Sequence, residues 1–198
     1  MFVVGLTGSI GMGKTATAAM FRAEGVAVFD SDAAVHELYR GKAAAAIEAA
    51  FPGTARGGEV DRERLSDIVL RDPAALARLE AIIHPLVAAS RDAFLAEAEK
   101  RGAGLVVLDI PLLFETGYDR RVDATVLVSA PESVQKERVR ARGGMTEEQL
   151  AVIMARQMPD SEKRARAHFL VDTGRGFEAG RRQVCAILRA LSGASNKV

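Results

Sequence analysis

The chain has 198 residues, enough for one domain with an insertion and for a sizeable interior that needs no metal or disulfide staple. Lys and Arg number 27 against 26 Asp and Glu, a net charge of +1, which excludes an overall field that draws the protein to nucleic acid or membrane. The one cysteine, Cys185, excludes an internal disulfide and is expected as a small residue on the inner face of the last helix.

No stretch approaches the ~18 apolar residues of a spanning helix, and the first residues lack the basic and then apolar pattern of a signal segment. The expectation is a soluble cytoplasmic protein that catches any anionic ligand locally. The first element, Val3 to Thr7, is an apolar run that reads as a buried strand. It leads directly into "GSIGMGKT", residues 8 to 15, which matches G-x-x-x-x-G-K-[ST] between a strand and a helix. Glycines at that spacing let Gly8, Ser9, Ile10, Gly11, Met12 and Gly13 turn their N–H groups inwards around phosphates, beside the positive end of the following helix. Lys14 is then expected to reach the β- and γ-phosphates of ATP. Thr15 is expected to give its hydroxyl to Mg²⁺ bridging them.

A second apolar run, Val26 to Phe29, ends in "FDSDAAVH", residues 29 to 36. Ligands of parallel sheets gather at the carboxyl ends of strands, so Asp30 and Asp32 are candidates for a base beside the γ-phosphate. Asp32 also fits a plain helix cap or first-turn acid. Between Phe29 and Leu105 lie about 75 residues, too many for one crossover, so something is inserted. "FPGTARGGEVD", 51 to 61, reads as an aperiodic loop; Leu65 to Val87 then repeats at helical spacing, with Asp72 capping ahead of Pro73. Within it His84 precedes Pro85, where an interrupted helix would offer the imidazole a free carbonyl, or leave it to bind an acceptor.

The third strand, Leu105 to Leu108, is followed by Asp109, a natural outer-sphere partner for Mg²⁺ or Thr15. In "IPLLFE" that follows, Leu112, Leu113 and Phe114 fit either core or an apolar floor under an acceptor, with Glu115 beside the acceptor's ribose or adenine. After the fourth strand, Ala124 to Val128, Pro131 opens a helix that Gly143 and Gly144 break. Thr146 and Gln149 form a capping box for another, which Pro159 ends. Arg138, Arg140 and Arg142 before the hinge and Arg156 after it suggest a small lid, against the plainer alternative of a solvated face. Phe169 to Val171 supplies a fifth strand. His168 is expected to serve structure, and no acid and histidine cluster has the spacing of a zinc site. Strands alternating with helices predict an α/β fold: a doubly wound sheet of five parallel strands flanked by helices.

A phosphate loop alone leaves a small-molecule kinase, a GTP switch or an ATP-driven module. The GTP class lacks N-K-x-D, since the sole asparagine is Asn196 in the tail; the third strand ends in a single acid, unlike a remodelling motor. The chain resembles the dephospho-coenzyme A kinase family over nearly its whole length. The residues that carry the likeness are "GLTGSIGMGKT", "VFDSDAAVHELY", "IIHPLV", "LDIPLLFETG", "KERVRARGGMTEEQLAVIMARQMP" and "AHFLVDTG", in that order. The resemblance implies a P-loop NTPase three-layer sandwich divided into core 1–40, a helical acceptor-binding insert 41–101, and core 102–198 with a lid at 136–158. It implies ATP-dependent phosphorylation of the ribose 3′-hydroxyl of dephospho-coenzyme A, with Mg²⁺, by a monomer with no nucleic-acid or membrane partner. A nucleoside or nucleotide kinase is the alternative, followed by a non-catalytic nucleotide-binding module. The family's base falls on Asp32, its lid arginines on Arg138 and Arg142, and its His-Pro pair on His84 and Pro85. His36, Gly143, Gly144 and Thr173 stand where many members carry arginine, acid or asparagine, and asparagine; they bear on acceptor contacts, hinge stiffness and adenine contacts.

Overall fold

A computed structural model describes residues 1–143 and 147–195, apart from the side chains at 142, 147–149, 151 and 193–195. Five strands form one sheet: β1 Phe2–Thr7, β2 Ala27–Asp30, β5 Leu105–Asp109, β6 Ala124–Ser129 and β7 Phe169–Asp172, in the spatial order β2-β5-β1-β6-β7. β1 runs parallel to both β5 and β6, and β6 parallel to β7, so the carboxyl ends of neighbouring strands converge on one edge. The central strands are covered on both faces, which is why each reads as an unbroken apolar run. β2 lies at the sheet edge and is only partly buried.

Along β1 the pleat sends Val4 and Leu6 to one face, where they meet Ala18 and Phe21 of helix α1, Lys14–Ala23, and Val184, Ile187 and Leu191 of helix α9, Phe177–Ser195. Gly5 points to the other face. There the fully buried Leu113 lies so close that a Cβ on Gly5 would sit 2.9 Å from its Cδ2. Leu113 is therefore core and not the acceptor floor that the sequence left open; Leu112 beside it stays half-buried. Cys185 also departs from expectation. The inward stripe of α9 runs through Val184, so Cys185 is half-buried and lines a shallow surface cleft with Arg181, Arg182 and Arg189. His168 serves structure: its Nδ1 lies 3.2 Å from the Thr125 N–H, which it accepts, and this fixes the proton on Nε2.

The chain divides into two compact units, Met1–Phe29 with Ala98–Val198, and Asp30–Glu97. The second contains helices α2 Ser31–Tyr39, α3 Ala44–Ala50 and α4 Arg62–Val69 and most of α5, Pro73–Lys100. Its own core gathers Leu38, Ile47, Phe51, Leu65, Leu79 and Ile83. Asp72 caps α5 as expected, accepting the Ala74 N–H at 2.8 Å. Pro85 does not interrupt the helix, which continues through it, and His84 is exposed. The segment 51–61 is not an aperiodic loop. It contains a hairpin of two-residue strands, β3 Ala55–Arg56 and β4 Glu59–Val60, turned by Gly57 and Gly58 at φ 60° and 84°. Successive left-handed residues are what a tight hairpin turn demands, and strands this short carry no readable period.

Glu48 of α3 pins the approach to that hairpin, accepting the N–H of Gly53 at 2.7 Å and of Ala55 at 2.6 Å. These two bonds hold its carboxyl below the usual carboxylate range. A depressed folded value stabilises above the unfolded value and is lost as the pH falls through the folded one. Glu48→Gln is expected to lower the thermal midpoint at about pH 7, and the difference from wild type is expected to shrink as the pH falls through the depressed folded value, where the wild-type carboxyl takes up its own proton. Thermal scans of both proteins across an acid pH series check this.

Candidate active site

Where β1 ends, residues 8–13 curl before α1 begins. Gly11 and Gly13 adopt φ 78° and 90°, and a side chain would also collide: a Cβ at Gly8 would sit 2.7 Å from the Val128 carbonyl, one at Gly11 2.8 Å from Val139 Cγ2. The curl is thus reserved for glycine twice over, by conformation and by space. Gly13 occupies the N-cap position of α1 without a side-chain acceptor, so the first turn presents N–H groups that no residue caps. Thr15 in that turn is exposed.

Lys14 opens α1 and donates to Asp109 Oδ1 at 2.6 Å; the two side chains are 14% and 2% exposed. Asp109 ends β5, and the backbone beyond it is tied to β1: Ile110 N–H donates to Leu6 O at 2.9 Å and Thr7 Oγ1 to Pro111 O at 3.0 Å. A buried carboxylate costs free energy unless paired, and the ammonium of Lys14 supplies the pair. The structure thus pairs Lys14 with Asp109, and Thr15 is the next residue of α1; hydroxyl and carboxylate oxygens are donors of the kind that a hard cation such as Mg²⁺ takes. Among the described residues no group of three or more His, Cys, Asp or Glu could hold a metal by itself.

Behind the loop stands a polar scaffold that composition and spacing did not reveal. Thr173, buried at the end of β7, places its Oγ1 2.7 Å from Met12 O and 3.4 Å from Ser129 O; with one proton to give, the shorter contact is the hydrogen bond. Arg138 of helix α6, Glu132–Arg142, donates to Thr173 Oγ1 at 2.8 Å and Thr173 O at 2.9 Å. Two residues assigned to the nucleotide are thus in direct contact. Ser129 Oγ donates to Asp160, and Arg164 closes that triangle with 2.6 Å bonds to both.

Other assigned residues land differently. Asp30, not Asp32, caps α2, its Oδ1 accepting the Ala33 N–H at 3.0 Å. Asp32 stands exposed in the first turn, with His36 one turn further on the same face, also exposed. Glu115 does not present its carboxylate to a ligand: Oε1 accepts the Met158 N–H at 2.7 Å and lies 2.9 Å from the wholly buried Lys163 ammonium. Among the described residues Glu115 is the one acid in ion-pair contact with this buried cation, which would lose that compensation were Glu115 drawn away. Of the expected lid, Gly143 takes φ 58° after α6, and helix α7 covers Glu147–Ala155. Gly144, Thr146 and the side chains of Arg142 and Gln149 lie outside the described residues.

A family model described as dephospho-CoA kinase matches residues 2–178. The dephospho-CoA kinase of Mesorhizobium japonicum is 61% identical over 193 residues, 98% of either chain, and that of Bradyrhizobium diazoefficiens 58% identical over 188, covering 95% of this chain and 94% of its own. Among solved structures, the protein TT1252 of Thermus thermophilus superposes with a TM-score of 0.81 at 36% identity, covering 96% of each chain. Dephospho-CoA kinase from Campylobacter jejuni gives 0.66 at 18% identity over 95% of this chain and 96% of that one, a likeness of fold.

Gly11→Ala combines a left-handed φ with the contact to Val139. It is expected to cost about 1–3 kcal/mol of stability and at least tenfold in ATP affinity, about 1.4 kcal/mol. Denaturant titration and calorimetric titration with ATP check the two effects separately.

Proposed function

The chain belongs to the dephospho-CoA kinase family, and on that premise we propose how its residues divide the ATP-dependent phosphorylation of dephospho-CoA to CoA and ADP. The observation that carries the reading is the Lys14–Asp109 pair at the mouth of a loop sterically reserved for glycine. The uncapped start of α1 and the loop amides other than those of Ile10 and Met12, which are bonded to Gln157 and to Ser9, take up the β- and γ-phosphates. Lys14 gives up Asp109 for a phosphate oxygen, a charge-assisted contact that strengthens as the phosphoryl group moves. The Thr15 hydroxyl would hold Mg²⁺, with Asp109 as its outer-sphere partner, and the cation would offset charge that the loop alone leaves unbalanced.

The ribose 3′-hydroxyl attacks the γ-phosphorus, its bond to the β-γ bridging oxygen breaks, and ADP leaves. Asp32 takes the hydroxyl proton. The role suits it because Asp30 already caps α2, which leaves the Asp32 carboxylate uncommitted. The insert, 41–101, holds the acceptor, with His36, His84 and Leu112 as contacts. Arg138 and Arg142 offset charge on the transferring group, and the helix pair at 136–158 closes to keep water out. Thr173 stands by the adenine. The enzyme acts as a cytoplasmic monomer on small molecules.

Purified protein with ATP, Mg²⁺ and dephospho-CoA is expected to release ADP and CoA in equal amounts. Turnover only with AMP, a nucleoside or shikimate would move the chain to another kinase class, and binding without turnover would make it a nucleotide-binding module. Lys14→Ala is expected to lower kcat more than it raises the KM for ATP. Asp32→Asn is expected to lower kcat by about 10² to 10⁴ while stability stays within about 0.5 kcal/mol. Steady-state kinetics and urea titration of the same preparations test that separation.

A further inference from the structure

Ile10 lies in the phosphate loop between Gly8 and Gly11, and both of its backbone polar groups are bonded to side chains far along the chain. Gln135 Nε2 of α6 donates to Ile10 O at 2.7 Å, and Ile10 N–H donates to Gln157 Oε1 at 3.2 Å. The polarity of each glutamine is dictated by what it meets: a carbonyl only accepts and an amide N–H only donates, so one side chain must present its NH₂ and the other its oxygen. Gln135 is 7% exposed, and its own carbonyl stands 3.0 Å from where a Cβ on Gly11 would lie. Gln157 follows α7 and precedes Met158, whose N–H is taken by Glu115, itself paired with the buried Lys163. The stems of α6 and α7 therefore bear on one residue of the loop from opposite backbone groups.

We propose that Gln135 and Gln157 are positioning residues for phosphoryl transfer: together they fix the φ and ψ of Ile10, and so the curl of residues 8–13, and they tie that curl to the two helices of the lid. Neither touches a reacting atom. A loop with glycine on either side has little backbone stiffness of its own, so the orientation of its amides depends on bonds from outside. The proposal rests on the kinase reading, which names the reaction that the curl serves.

The opposite polarities give a test that a general loss of packing cannot mimic. Glutamate in place of glutamine keeps an acceptor and removes a donor, so Gln157→Glu keeps its bond to Ile10 N–H, whereas Gln135→Glu sets a carboxylate against a carbonyl. At saturating ATP, Gln157→Leu and Gln135→Glu are each expected to lower kcat about tenfold, and Gln157→Glu to regain most of that loss. In the nucleotide-free protein, hydrogen exchange at the Ile10 amide is expected to speed up about tenfold in Gln157→Leu and to stay slow in Gln157→Glu. Equal loss of kcat in both Gln157 variants, wild-type kcat in Gln135→Glu, or unchanged Ile10 exchange in Gln157→Leu would each overturn the proposal. Exchange is read without substrates, so a clamp that fails is distinguished from a wild-type protein that does not phosphorylate dephospho-CoA.

Discussion

A lysine ammonium and a buried carboxylate 2.6 Å apart join the start of α1 to the end of β5, and the site is arranged around them. Such a pair is a poor source of stability, because the cost of removing both charges from water offsets most of their attraction. Its value lies in placement. Asp109 is fixed by the register of β5 against β1, and it holds Lys14 against the loop, where a more negative ligand can claim the ammonium. Only a sheet with β5, β1 and β6 side by side and parallel brings Asp109, the loop and Ser129 to one edge.

The loop cannot keep its curl unaided. Its glycines make the curl sterically possible, and bonds from Gln135, Gln157 and Thr173 select that curl from the others open to glycine. These partners are held in turn: Thr173 by Arg138, the Met158 backbone beside Gln157 by Glu115 and Lys163, and Ser129 by Asp160 and Arg164. Buried polar networks stiffen a site when fully satisfied and weaken it when one partner is lost. Glu115 is only partly satisfied: its Oε2 is buried without a hydrogen bond, and the Lys163 ammonium 2.9 Å from the carboxylate meets it by charge alone, outside hydrogen-bond angles. Charge and burial together keep that helix junction where Gln157 needs it.

How much of this was legible in the sequence follows from how local each feature is. The five strands could be read because parallel strands covered on both faces leave continuous apolar runs, and the phosphate loop because its signal fits in eight consecutive residues, Gly8 to Thr15. The Asp72 cap was equally local. The hairpin at Ala55–Val60 escaped because two residues per strand carry no alternation, although its Gly57-Gly58 pair was a turn signal. Asp30 and Asp32 could not be told apart, since either can precede a helix and only the extended backbone at Asp30 decides. Leu113 reads the same whether it lines a floor or fills the core; its contact with Gly5 is set by two strands far apart in sequence. Gln135, Gln157 and Glu115 act across separations of 125, 147 and 43 residues, and a single polar residue on a helix or turn carries no period that announces such a partner.

The central claim is that Lys14 exchanges Asp109 for the nucleotide's phosphates. A crystal structure with a non-hydrolysable ATP analogue and Mg²⁺ tests it most directly, through the two distances from Lys14 Nζ. The account predicts hydrogen-bond contact between Nζ and a β- or γ-phosphate oxygen, with Asp109 Oδ1 no longer within hydrogen-bond reach of Nζ. Phosphates bound away from residues 8–15, or a Lys14 ammonium still on Asp109 and out of reach of every phosphate oxygen, would contradict it.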